Sequence, residues 1–253
     1  MNLVKQRPFW TGFGLATHAL FAVTVYYLYF YLRGDDEALP AADRKTFVRA
    51  ALVDTLLAIQ FAVSHSWLLH PTTRRRFRSL VPQPAYGVFF CTCTCLSLLL
   101  TIAYWQPIGG AVWQLTGTGF VVMRAAFIGA WLALFYSLHL AGIGYQTGWT
   151  TWWPWVRGRA VTKREFQPRS LFLWFRHPVY LSFLGLIWFA PVMSWDRAVL
   201  TFWWTIYIFV GSYLKDRRLE HYLGDAYRDY QAQVPGYPGI LIGPLGKVSH
   251  TAA

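Results

Sequence analysis

The chain has 253 residues, of which 55% are hydrophobic and 19% aromatic, and carries a formal net charge of +12. So apolar a composition lies outside the range of an ordinary soluble domain. The basic balance brings no nucleic-acid-binding fold with it, and three cysteines are too few for a disulfide framework.

Six apolar stretches come near the ~20 residues that a helix needs to cross a bilayer. They cover 9–32, 48–69, 86–105, 119–141, 179–195 and 197–214. The fold class that follows is all-α: a polytopic membrane protein with about six transmembrane helices. The first stretch lacks a small-residue cleavage site and reads as a retained helix. It holds His18, and Tyr26, Tyr27, Tyr29 and Tyr31 gather toward its far end like an interfacial aromatic belt. The loop after it is acidic, with Asp35, Asp36, Glu37 and Asp43.

The second stretch carries Asp54, Gln60 and His65. Asp54 and His65 are three turns apart, roughly 16 Å, and so share one face. Ionisable groups at membrane depth are costly and mark a functional face by default, although packing against neighbouring helices is the alternative. The stretch ends at His70-Pro71 and the basic run Arg74-Arg75-Arg76, a headgroup-facing stop. Cys91, Cys93 and Cys95 open the third stretch, where their spacing points them apart and suits small buried side chains rather than zinc. A neutral, glycine-containing loop leads to the fourth stretch, which begins near Arg124 and ends near His139.

Residues 142–175 form the longest non-spanning segment. Trp149, Trp152, Trp153 and Trp155 are followed there by Arg157, Arg159, Lys163 and Arg164, a composition suited to lying along headgroups or closing over a pocket. The fifth and sixth stretches make a hairpin turning at Asp196-Arg197, with Pro191 near the far end of the fifth. The chain thus divides into a four-helix membrane part (1–141), an interfacial segment (142–175), a hairpin with its C-terminal motif (176–238) and a tail (239–253).

Among the 23 lysines and arginines, Arg33, Arg44, Lys45, Arg49 and Arg197 fall in one set of loops and Arg124 inside a span, while the rest fall on the opposite side. By the positive-inside pattern both termini are cytoplasmic. His65 and His139 then lie at comparable depth near the cytoplasmic ends of their helices. The hairpin would bring its two polar ends together on that same side. Arg176-His177-Pro178-Val179-Tyr180 stands at the entrance, with Pro178 at a helix start. Lys215-Asp216-Arg217-Arg218 stands at the exit. Gly224 ends the sixth helix, and Asp225 caps a short helix presenting Tyr227 and Tyr230 on one face before Val234-Pro235. The expected product is a cytoplasmic cup of cations, one carboxylate and aromatic walls.

The pattern Arg-His-Pro-x-Tyr, then a helical hairpin, an acidic residue with a following leucine, Gly-x-x-Tyr-x-x-Tyr and Val-Pro, resembles the isoprenylcysteine carboxyl methyltransferase superfamily. Val53-Asp54 through His65-Ser66, Val81-Pro82 and Trp105-Gln106-Pro107-Ile108 resemble its methanethiol S-methyltransferase and NnrU-like branch. The resemblance implies a membrane methyltransferase using S-adenosylmethionine on a small thiol or lipophilic acceptor. It implies Arg176, His177, Tyr180, Asp216, Arg217, Tyr227 and Tyr230 as cofactor-binding residues. His65, Arg176 and His177 are the catalytic candidates, either histidine being able to take a thiol's proton; no metal is implied. Members commonly carry two adjacent acidic residues where this chain has Lys215-Asp216. NnrU-like proteins also include a haem-binding isomerase, for which His65 and His139 would be the axial ligands. A membrane reductase and a structural membrane protein complete the alternatives.

Overall fold

The computed structural model describes residues 6–34, 39–161 and 165–248. Lys5, Asp35, Asp36, Glu37, Lys163 and Arg164, which entered the charge reading, lie outside the described residues, as does the end of the tail beyond residue 248. The helices are α1 (Arg7–Arg33), α2 (Arg44–Leu69), α3 (Pro71–Arg76), α4 (Tyr86–Tyr104), α5 (Gly117–Ala141), α6 (Ile143–Gln146), α7 (Trp149–Val156), α8 (Pro178–Trp188), α9 (Trp195–Leu223) and α10 (Asp225–Gln233). Two short strands, β1 (Ala111–Gln114) and β2 (Val192–Ser194), pair with each other. The chain falls into two compact units, one of Met1–Trp113, Ala141–Lys163 and Val192–Leu200, the other of Gln114–Leu140, Arg164–Pro191 and Thr201–Ala253.

Four helical stretches among the described residues are long and apolar enough to cross a membrane: α1, α2, Gln83–Tyr104 and α5. On α2, Leu52, Leu56 and Val63 are 61%, 68% and 61% exposed. Their spacing puts them on one helix face. A continuous apolar face turned outward suits lipid and would be a liability in water. These features make the chain an integral membrane protein.

In the first unit α4 packs against both α1 and α2. Apolar contact alone gives no preference for a neighbouring helix over lipid, so small polar side chains help to fix the pairing. The Gln60 amide donates to Ser97 Oγ at 2.5 Å, Ser64 Oγ lies 3.0 Å from Ser97 Oγ, and Thr101 donates to the Leu57 carbonyl. Thr17 and Thr92 join α1 to α4 at 2.8 Å. Asp43 caps α2 by accepting from the Lys45 and Thr46 amides. Asp54 and Asp196 pin the loop after α4, accepting from the Gln106 and Ile108 amides at 2.8 and 3.2 Å. The ionisable group at membrane depth in α2 therefore holds a turn of the chain. The tryptophan run divides: Trp152 is fully buried and Trp155 buried, while Trp149 is exposed. The Trp152 indole donates to the Trp10 carbonyl at 2.7 Å and lies across Gly14.

In the second unit α8 and α9 form an antiparallel hairpin. Its rungs run from Thr201 Oγ1 to the Ile187 carbonyl, from the Trp188 indole to Thr205 Oγ1 and from the Tyr180 hydroxyl to the Gly211 carbonyl. The expected fifth span, 179–195, is helical only to Trp188. Pro191 bars the preceding residue from continuing a helix, and the chain turns into β2 instead. Eleven residues reach roughly 16 Å, about half the hydrocarbon thickness. Asp196-Arg197, expected as a turn, is the start of α9, which then continues to Leu223. Gly224, with φ of 60°, ends that helix and occupies the cap position of α10, and Asp225 sits in the first turn, paired with Arg228 at 2.8 Å.

The close approach of Trp152 to Gly14 yields a direct expectation. A Cβ on residue 14 would lie 2.2 Å from the indole ring. Gly14→Val should lower stability by about 1–3 kcal/mol through overpacking, read as a fall in the thermal midpoint of the detergent-solubilised chain. Trp152→Phe in the same background should recover part of the loss.

Candidate functional site

The motif residues meet within the second unit, and Arg176 is at their centre. Pro178 begins α8, so Arg176 and His177 lie just before the helix, and their amides donate to the carbonyls of Pro235 and Gly236 at 2.9 and 3.2 Å. This short ladder joins the entrance of the hairpin to the Val234-Pro235 segment that follows α10. The Arg176 side chain is 1% exposed. Its Nε and Nη2 donate to Asp216 Oδ2 at 3.2 and 2.9 Å. Nη1 donates to the carbonyls of Val234 and Gly246 at 2.6 and 2.7 Å, and Nη2 also to that of Pro244 at 3.0 Å. A guanidinium has five N–H donors, and all are occupied. Arg176 is accordingly a clamp that fastens Asp216 and the C-terminal segment to the hairpin.

Asp216 is the shared acceptor. Its Oδ2 also accepts from His177 Nε2 at 3.1 Å, and its Oδ1 from the Tyr227 hydroxyl at 2.5 Å. Burial pushes this carboxyl up, but the bond from His177, the His177 and Arg176 charges and the Tyr227 bond together hold it below the usual carboxylate range. His177 is fully buried, and burial outweighs the pull of Asp216, so its imidazole titrates below the usual 6.5. At neutral pH it is therefore uncharged. Since a carboxylate only accepts, the Nε2 proton faces Asp216 and Nδ1 carries the lone pair. Nδ1 is buried without a hydrogen-bond partner.

The aromatic residues close the cluster. Tyr180 and Tyr237 flank the His177 ring at 5.6 and 5.3 Å. The Tyr230 hydroxyl donates to the Phe172 carbonyl. Burial raises the phenols of Tyr227 and Tyr230 well above their ordinary value. Lys215 is half-buried, with its ammonium over the rings of Tyr180 and Phe172 at 5.5 and 5.9 Å, and burial lowers it to about 8. Lys215 is thus turned toward the cluster. Arg217 is exposed and lies 3.7 Å from Glu220 one turn on.

An open cup was expected, and the structure has a filled one: Arg176, His177, Asp216 and Tyr227 are all 2% exposed or less. The open space lies immediately beside it. A groove of about 300 Å³ is bordered by Asp216, Arg217, Glu220 and Gln231 on one side and by residues 242–248 on the other. Those tail residues form a tight turn closed by the Ile242–Lys247 bridge and tied down by the Val248 amide on the Gln231 carbonyl. The tail was read as a separate segment. Its contribution is made by backbone carbonyls, which leave no mark in a sequence beyond the glycines of the turn.

The remaining candidates lie elsewhere. His65 belongs to the first unit, with Nδ1 3.4 Å from Thr94 Oγ1 of α4 and its ring edge-on to Phe90. His139 belongs to the second unit and is exposed on α5. Among the described residues no three His, Cys, Asp or Glu side chains group as a metal site.

The groove is bordered by the carboxylates of Asp216 and Glu220 and by the cations of Arg217 and Lys247.

The chain is 30% identical over 201 residues to the methanethiol S-methyltransferase of Pseudomonas deceptionensis, covering 78% of this chain and 74% of that protein. It is 25% identical over 251 residues to the methanethiol S-methyltransferase of Crocosphaera subtropica, covering 98% and 97%. It is 23% identical to Nurim of Rattus norvegicus over 205 residues, 76% of this chain and 77% of that one. No family model matches the chain, and no solved structure matches it.

Asp216→Asn would leave a buried guanidinium without its counter-charge. A loss of about 3–5 kcal/mol is expected, measured by thermal or denaturant unfolding in detergent. Truncation after Pro238 removes the Pro244 and Gly246 carbonyls and should destabilise the same cluster by about 1–3 kcal/mol for each donor left unpaired.

Proposed function

Because the chain belongs to the methanethiol S-methyltransferase family, we propose that it is a membrane-embedded methyltransferase that moves a methyl group from S-adenosylmethionine to the sulfur of a thiol. Kinship over most of the chain carries this reading, and the cluster around Asp216 supports a location for it. When bound, S-adenosylmethionine supplies an electrophilic methyl on a positively charged sulfur, so that transfer is an in-line displacement needing no metal.

The chain's own residues would then do three things. Asp216, Arg217, Glu220 and the tail turn at Lys247 hold the nucleoside and its amino-acid end in the groove, and Tyr180, Tyr227 and Tyr230 wall the site against water. Lys215 offers a cation between two aromatic rings, suited to an anion such as a thiolate or carboxylate. His177 takes the thiol's proton on Nδ1, while Asp216 fixes the tautomer and steadies the imidazolium that forms. Arg176 acts by holding Asp216, and His65 is assigned a packing role. Residues 176–238 with the tail make up the cofactor-binding part, and the distribution of basic residues supports cytoplasmic termini and cofactor entry from that side.

A neutral histidine base has a definite pH signature. Below its lowered pKa His177 is protonated and cannot accept, so methyl transfer to methanethiol should fall in acid with a midpoint under 6.5 and stay level from about pH 7 upward. His177→Gln should lower turnover by about 10²–10⁴-fold. The rate that remains should climb tenfold per pH unit as free thiolate takes over. A wild-type rate that already climbs that way across neutral pH would remove His177 from the proton transfer.

A further inference from the structure

One end of the first unit gathers cations with no acid to answer them. α1 begins there with Arg7. α3 and the turn after it add Arg74, Arg75, Arg76 and Arg78, and α7 runs out into Arg157 and Arg159. No Asp or Glu occurs in 6–34, 55–113 or 141–161. The described carboxylates of this unit belong to its other end, where Asp43 caps the start of α2 and Asp54 and Asp196 hold the loop after α4. Along α2, Asp54 lies roughly 22 Å from Leu69.

Three of these arginines are set by one aromatic core. Trp10, Tyr86, Trp152 and Trp155 are buried together, with Trp153 packed against them. The Trp152 indole bonds the Trp10 carbonyl, and Thr151 Oγ1 donates to the Pro84 carbonyl at 2.9 Å, which fastens α7 to the starts of α1 and α4. On the rim of that core the Arg74 guanidinium lies over Tyr86 at 5.4 Å and that of Arg157 over Trp153 at 4.4 Å. Arg7 Nη1 stands 3.2 Å from where a Cβ on Gly158 would be, beside Arg157. Stacking on a ring face orients a guanidinium without consuming its N–H donors. Arg74 and Arg157 are exposed, and Arg7 Nε is buried with no hydrogen-bond partner. Holding like charges together costs energy that an anion among them recovers. Exposed Phe9 and Leu80 border the same rim with apolar surface.

We propose that this rim binds an anionic phospholipid, its phosphate shared by Arg7, Arg74 and Arg157 and its acyl chains lying against Phe9 and Leu80. Guanidinium forks match phosphate oxygens two at a time, and apolar surface beside them suits the level at which headgroup meets acyl chain. A free phosphate would leave the apolar border idle. Nucleic-acid bases would find Tyr86 and Trp153 already covered by arginines. The inference is independent of the methyltransferase reading. It also exceeds a topology signal, because a charge count asks only that the arginines stay in water, and here two are stacked against a common core.

The test uses the full-length protein in neutral detergent micelles, titrated with phosphatidylglycerol or with phosphatidylcholine of the same acyl chains. Binding is read from the thermal midpoint and from lipid retained in native mass spectrometry. Phosphatidylglycerol should raise the midpoint saturably and stay on as a discrete adduct, with an apparent affinity about tenfold or more above that of phosphatidylcholine. Arg74→Gln and Arg157→Gln should each weaken it about fivefold, and the pair about 25-fold. Arg157→Lys, which keeps the charge and loses the fork, should fall between, while Arg44→Gln at the other end of α2 should change nothing. If a glutamine variant is already destabilised without lipid, the retained-lipid ratio of Arg157→Lys to wild type decides instead. Equal affinity for the two lipids, or equal weakening by Arg44→Gln, would overturn the proposal. Displacement of the lipid by an equal concentration of inorganic phosphate would reduce the rim to an ion site and overturn it too. So would tighter binding of a short RNA than of the lipid.

Discussion

The second unit depends on the burial of one guanidinium. A charge taken out of water is tolerable only when its hydrogen-bonding capacity is met and a counter-charge is held against it. Arg176 meets both conditions by drawing together segments far apart in sequence: Asp216 from α9, Val234 after α10, and Pro244 and Gly246 from the tail turn. The apolar hairpin of α8 and α9 sets the two polar ends at one level, but the hairpin alone would not decide how they fit. The guanidinium decides it, because any arrangement that leaves a donor unpaired is penalised.

That constraint has a chemical consequence. Asp216 is shared by Arg176, His177 and Tyr227, so His177 is fixed with its Nε2 proton inward and its Nδ1 lone pair unengaged. Burial keeps the imidazole neutral, the form in which Nδ1 is a base. A single carboxylate thereby organises the clamp and the imidazole together. Lys215, one residue earlier on α9, points its ammonium at Tyr180 and Phe172 and adds a cation outside the clamp.

Much of this was legible in the chain. The long apolar stretches follow directly from the bilayer's thickness, and Arg176-His177-Pro178 through Val234-Pro235 carried a resemblance that the relatives bear out across most of the sequence. Other features were beyond reach for definable reasons. Pro191 marked where α8 would falter, but the pairing of β1 with β2 that follows, four residues with three, is announced by no periodicity. The partners of Arg176 besides Asp216 are main-chain oxygens, two of them in the tail, and every residue type has one. Asp54 and His65 looked functional by their cost at membrane depth. In the structure Asp54 accepts from a loop amide, and His65 lies against Thr94 and Phe90.

The central claim is that a sulfonium nucleoside is held in the groove between α9 and the tail turn, beside the clamped Asp216. Calorimetric titration of the detergent-solubilised chain with S-adenosylhomocysteine tests it most directly. The account predicts saturable one-to-one binding that Arg217→Glu and Glu220→Gln weaken at least tenfold while the thermal midpoint stays put, since both side chains line the groove outside the clamp. Absence of binding, or binding indifferent to both substitutions, would contradict it.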